Sequence, residues 1–147
     1  FMTENRFGAC MTSYETVNED GSFRNIVHID ERLDYKKFLK KPPTCSHTIM
    51  FDTELVDKKA LVMPDIRKRQ DAATWLQVIK LYGCLHGFDE VLAANRKRSD
   101  SLSANKVSAV KGTWFLYTEI EGLSKPYAGY CLFWQMFHAV LKRIGKR

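Results

Sequence analysis

Asp71 is the residue whose type and setting point most directly to chemistry. Arg67, Lys68 and Arg69 stand before it and Gln70 adjoins it. Three cations beside one carboxylate favour its ionised form and attract an anionic substrate. The same Asp also suits a structural post, because an Asp at a helix start accepts hydrogen bonds from free backbone amides. A second cluster follows about 25 residues on, where Arg96, Arg98 and Ser101 lie in a Ser-rich stretch. Guanidinium forks match the paired oxygens of a diphosphate, and a hydroxyl can serve a third. Each of these residues alone also reads as part of a solvated basic loop. His47 and His86 are isolated in sequence and read as packed or exposed histidines. Trp75, Trp114 and Trp134 fall at core-facing spacing, which favours packing over sugar stacking.

These residues need elements to hold them. From Asp71, the apolar Ala72, Trp75, Leu76, Ile79 and Tyr82 recur at helical spacing, which predicts a helix with Asp71 as N-cap and Gly83 at its end. Phe7 to Val17 reads as a strand, Asn18 to Ser22 as a turn, and Phe23 to Ile29 as the returning strand of a hairpin. Asp34 to Lys40 is a short amphipathic helix with Asp34 as its cap, stopped by Pro42 and Pro43. Thr44 to Phe51 reads as a buried strand, Asp52 to Lys59 as a helical turn, and Glu90 to Asn95 as a strand. The segment from Arg96 to Asn105 is a polar loop. Lys106 to Leu123 reads as a helix with Val107, Val110, Trp114, Tyr117 and Ile120 inward. Pro126 opens a last helix, apolar nearly all round from Tyr127 to Leu141, with a basic tail. Without regular βαβ alternation or a Gly-rich phosphate loop, the expected class is α+β.

The bulk numbers agree with one soluble domain: 147 residues, 45% hydrophobic and 27% charged. Charge is uneven. Residues 1–95 carry 13 Lys/Arg against 14 Asp/Glu, a net of −1, and residues 96–147 carry 10 against 3, a net of +7. The C-terminal third is therefore expected to meet phosphates or an anionic membrane surface. Its basic residues are not interleaved with aromatics along one element, so nucleic acid is not an expected partner. Cys10, Cys45, Cys84 and Cys131 have no Cys-x-x-Cys spacing and read as reduced thiols of a cytoplasmic protein, with neither disulfides nor zinc. No stretch reads as a signal peptide.

Two blocks carry a family resemblance. Met63, Pro64, Ile66, Lys68 and Arg69 lead to an acid, Asp71, at the start of a Trp75-Leu76 helix. Val91 to Ser103, then Asn105 and Lys106, is similar to a block of the form Leu-Ala-x-Tyr-Arg followed by Ser-Leu-Ser-x-Asn-Lys. Together they resemble family 2 glycosyltransferases of the A-type fold, across Phe7 to Ser124 and most strongly between Met63 and Lys106. The resemblance implies an inverting sugar transfer from a nucleotide-diphosphate donor to an acceptor hydroxyl, in cell-surface or exopolysaccharide synthesis. Asp71 matches the family's general base. Arg69 and Gln70 would meet substrate beside it, and Arg96, Arg98 and Ser101 would face the donor phosphates.

The departures are informative. Relatives often carry Glu where this chain has Gln70, and His where it has Arg98. The family's Asp-x-Asp metal motif is missing from this sequence, as are the opening strand-loop-helix units that hold the nucleotide. The expectation is thus an acceptor-side half, residues 1–124, followed by an apolar and basic helix, residues 125–147. A divalent ion, magnesium or manganese, is expected for the full enzyme and not in this chain. The implied partners are a nucleotide sugar, a saccharide or lipid-linked acceptor, the inner face of the cell membrane, and a second copy through exposed strand edges. The competing expectation is a non-catalytic remnant that binds protein or membrane.

Overall fold

A computed structural model of the protein describes residues 1–42, 45–98 and 106–144. A single helical turn, α1 (Met2–Asn5), leads into β1 (Ala9–Val17), β2 (Phe23–Val27), β3 (Arg32–Leu33) and α2 (Tyr35–Lys40). A 3-10 turn (Ser46–Thr48) and β4 (Ile49–Phe51) precede a second 3-10 turn (Lys58–Leu61), α3 (Gln70–Tyr82) and β5 (Leu85–Arg96). The chain ends with α4 (Lys106–Phe115), a π-helical turn (Leu116–Ile120) and α5 (Lys125–Ile144). The α+β class is as the sequence predicts.

β1 is the spine of a mixed sheet. It pairs antiparallel with β2 at its far half and with β4 at its near half, and parallel with β5 along its length. β3 adds an antiparallel pair at the start of β5. The hairpin forms as expected. Asn25, the polar break in its second strand, bonds the buried Thr16 hydroxyl.

The β1–β5 pairing slips: Thr12 meets Phe88, Ser13 meets Val91, and Tyr14 meets Ala93. Such extra residues bulge a strand and shift its side-chain phase. β1 is buried on both sides of the slip, at Ala9, Cys10 and Met11 before it and at Ser13, Tyr14 and Thr16 after it. The bulge turns Asp89 back onto the buried Ser13, whose hydroxyl also accepts from the Ile29 amide at 3.1 Å. β5 begins five residues earlier than the sequence predicts, and Gly87 is the reason its start fits. A Cβ there would lie 2.1 Å from the Asp30 carbonyl oxygen.

The core lies between this sheet and the helices. Leu33, Phe38, Leu39, Leu76, Ile79 and Leu85 are all but sealed from water. Trp75 meets Phe38 edge-on at 6.1 Å. Asp34 caps α2 as expected, accepting from the Lys37 amide at 2.9 Å. All four cysteines are buried free thiols, in line with the reading of their spacing.

Four local expectations fail. The predicted strand from Thr44 to Phe51 breaks into a 3-10 turn and a three-residue strand, because the Thr48 hydroxyl closes the turn on the Cys45 carbonyl at 2.9 Å. Asp71 is not the N-cap of α3. The helix starts at Gln70, and Arg69 occupies the cap position with φ 67°. Tyr82 is exposed rather than inward, and its hydroxyl accepts from the Asp57 amide at 2.9 Å. In α4 and the π turn the inward stripe is Thr113, Leu116 and Tyr117, while Val107, Val110, Trp114 and Ile120 face out. The helix is turned this way because Gly112 lies against the Lys68 and Arg69 side chains and Ser108 takes a hydrogen bond from Lys68.

Candidate active site

The loop before α3 leaves Val62 and Met63 exposed and packs Ile66 against the core. It is braced from above by α4. Lys68 bonds Ser108, and a Cβ on Gly112 would sit 3.4 Å from that of Lys68. Arg69 lies close enough to Tyr117 for its charge to oppose the upward shift that burial gives the phenol. Tyr117 in turn donates to the Leu39 carbonyl at 2.5 Å, which ties the loop's support to α2.

On this braced loop Asp71 occupies the first turn of α3, where free amides and the helix dipole favour a negative charge. One carboxylate oxygen takes the Ala72 amide at 2.7 Å, and the other takes the Ser46 hydroxyl at 2.7 Å. The side chain is half-buried, and no ion pair among the described residues involves it. It is therefore aimed, accessible and, among the described residues, in contact with no cation.

The 3-10 turn that supplies Ser46 lies over the end of the sheet. His47 meets Tyr14 edge-on at 6.5 Å. Burial pushes the neighbouring Cys45 thiol up to about 11, with the Lys97 charge pulling the other way. Lys97 therefore sits on the side of the sheet that carries Ser46 and Asp71. Strand alternation explains this. Thr16 pairs with Asn95 and Tyr14 with Ala93 on the covered face, and the Lys97 amide continues the ladder to the Val17 carbonyl at 2.9 Å. Arg96, paired with Val17, starts on the opposite face and is exposed.

Of the residues predicted from sequence, Arg69, Gln70 and Asp71 are thus adjacent at the start of α3, with Gln70 exposed. Arg98 lies beyond β5 and is exposed. Ser101 lies outside the described residues. Sequence reasoning passed over Ser46 and Lys97. Ser46 was hidden by the strand reading of its segment, whereas Lys97 is found by extending β5's alternation one residue past its end.

A second polar group lies along the bulge, where His28 Nδ1 approaches Asp89 at 2.9 Å and the Ser13 hydroxyl donates to the same carboxylate. These bonds, the serine's first, hold the Asp89 carboxyl below its usual range. Ser13 bonds the acid and not the histidine, so the group lacks the base–nucleophile contact of a hydrolase. Among the described residues no group of three or more His, Cys, Asp or Glu side chains is placed to hold a metal.

A carboxylate presented by a helix start above a mixed sheet is an arrangement suited to group transfer onto a hydroxyl. Comparison with known proteins gives that chemistry a class. The chain is 37% identical over 145 residues, 98% of its length, to a protein named as a glycosyltransferase. The relative is the Bacillus subtilis (strain 168) protein named "Putative teichuronic acid biosynthesis glycosyltransferase TuaG", and the chain spans 57% of its length. No protein-family model matches the chain, and no solved structure does.

Proposed function

We propose that the chain is the acceptor-side, C-terminal half of an inverting, family 2 glycosyltransferase that builds a cell-surface polysaccharide, with Asp71 as general base. The observation that carries this reading is the setting of Asp71: half-buried, directed by Ser46 and the Ala72 amide, and in contact with no cation among the described residues. In the full enzyme the carboxylate takes the proton from an acceptor hydroxyl as that oxygen attacks the anomeric carbon. The bond from that carbon to the nucleotide diphosphate breaks on the opposite face, which inverts the centre. Arg69 and Gln70 flank the acceptor, a saccharide or lipid-linked sugar. Arg98 and Ser101 serve the donor phosphates, with Lys97 as the cation on Asp71's side in place of Arg96. The described residues offer no ligand set for a divalent ion. Such an ion is part of the proposal for the full enzyme alone, and no step assigned to this chain passes through it.

The test is Asp71→Asn in the full-length protein. Transfer should fall at least about a thousandfold, as expected for loss of a general base and its electrostatic help, while calorimetry shows donor binding retained. Undiminished transfer removes Asp71 from the mechanism. The 147 residues alone should not turn over a nucleotide sugar, and turnover by them overturns the half-domain reading. A second reading, a non-catalytic interaction module, draws on the apolar face that α5 leaves exposed. On that reading Asp71→Asn has no effect in any assay.

A further inference from the structure

We propose that α5 seats the protein on an anionic lipid surface, lying along the interface with one face in the acyl boundary. Among the described side chains of this helix, only Ala128 and Cys131 are buried against the rest of the fold. By helical spacing, Tyr130, Phe133, Met136, Phe137, Val140 and Leu141 fall on the side away from them, an arc of roughly two-fifths of the circumference. All six are exposed, Phe133 at 58% and Tyr130 at 49%. Phe133 stacks on Phe137, and Trp134 meets Tyr130, Phe133 and Phe137 edge-on, so the arc is one continuous aromatic surface.

The occupant follows from charge and residue type. α5 contains no acidic residue. Positions 125 and 143, Lys and Arg, fall together on one border of the apolar arc. An anionic headgroup layer complements that border, whereas a second copy would set like charges against each other. Tyr and Trp are also the residues that prefer the membrane–water boundary. No helix among the described residues is long and apolar enough to cross a membrane, so the contact is one of lying on the surface. This inference is independent of Asp71.

The experiment is co-sedimentation of the full chain with phosphatidylcholine vesicles, with and without phosphatidylglycerol. Binding is expected only with phosphatidylglycerol and should weaken at high salt. The double variant Phe133→Ser/Phe137→Ser should lose binding by at least about tenfold. Lys125→Gln and Arg143→Gln should each lose about fivefold. Circular dichroism should be unchanged in the Phe variant, since neither side chain is in the core. Absence of binding to phosphatidylglycerol vesicles at low salt overturns the proposal, as does equal binding to both vesicle types. A dimer in sedimentation velocity that the Phe variant dissolves, with no vesicle binding, assigns the face to a second copy instead.

Discussion

The start of α3 and the length of α5 use apolar residues in opposite ways. α3 hides Ala72, Ala73, Trp75, Leu76, Val78 and Ile79 and presents one acid in its first turn. α5 is the longer helix, yet among its described side chains only Ala128 and Cys131 are buried, while Tyr127, Tyr130, Phe133 and Phe137 are exposed. The first pattern fixes a functional group to a rigid support. The second attaches a surface to that support with little effect on the fold beneath. Apolar content alone would have ranked the two helices the other way round.

Mutation should make that contrast quantitative, with the largest effects on the side of α3 and the sheet. Leu76→Ala should cost about 3 kcal/mol, since a sealed Leu leaves both lost transfer energy and a cavity. Gly87→Ala should cost a similar amount, about 3 kcal/mol, because the new methyl meets the Asp30 carbonyl rather than a movable side chain. Phe133→Ser should stay within about 0.5 kcal/mol, as for other surface changes. Urea denaturation of the three variants checks all of this. A Phe133 effect as large as that of Leu76 would mean α5's outer face is packed in solution.

How much of this was readable beforehand depended on whether local signals agreed with the tertiary ones. The hairpin, α2 with its Asp34 cap, and the body of α3 were legible because turn residues, cap and period all point one way. The β5 start was not. His86, Gly87 and Phe88 have no strand alternation of their own, and the segment is extended because it lies between β1 and β3. The inward face of α4 was misread for a related reason. Its apolar residues suggest one stripe, but the helix is oriented by its small residues, Ser108 and Gly112, against the α3 loop. At the site, Asp71 was legible from its charged neighbours and Ser46 was not, because their bond joins residues 25 positions apart.

Ser46→Ala sharpens the site half of the contrast. It removes the hydroxyl that directs one Asp71 oxygen and leaves the Ala72 amide on the other. The expected loss of stability is about 1.5 kcal/mol or less, as for a hydrogen bond to a charged group. In the full enzyme the expected loss of transfer is about tenfold, the scale of a positioning effect. A loss in transfer without a matching loss in stability would separate aiming from folding.

Cys45 reports on the same turn. Its thiol is buried and pushed up to about 11, so it should react slowly with a disulfide reagent at pH 8 until the chain is unfolded, the thiolate being the reactive form. Lys97→Gln should slow it further, because the lysine's charge lowers the thiol's pKa. A variant that reacts faster or unchanged would place Lys97 away from the turn, and with it the cation assigned to Asp71's side.

The smallest expected effect is electrostatic and lies at Asp30. Burial raises the Asp30 carboxyl, but Lys41 at 3.0 Å and Lys37 at 3.5 Å outweigh it, so the group sits below its ordinary range. A carboxyl depressed in the folded state binds its proton more readily when unfolded. Its stabilisation is therefore complete above the unfolded value and is lost as pH falls through the folded one. All three side chains are about a quarter or more exposed, so solvent screening should hold the contribution to about 1 kcal/mol or less. Lys41→Met should flatten the acid side of the stability curve below about pH 4, where unperturbed Asp titrates, and leave the slope at neutral pH alone. An unchanged acid limb in urea titrations across that range would show the pair contributes nothing. The pocket that Asp30 and Lys41 share with Met11 and Tyr14 would then owe its shape to packing alone.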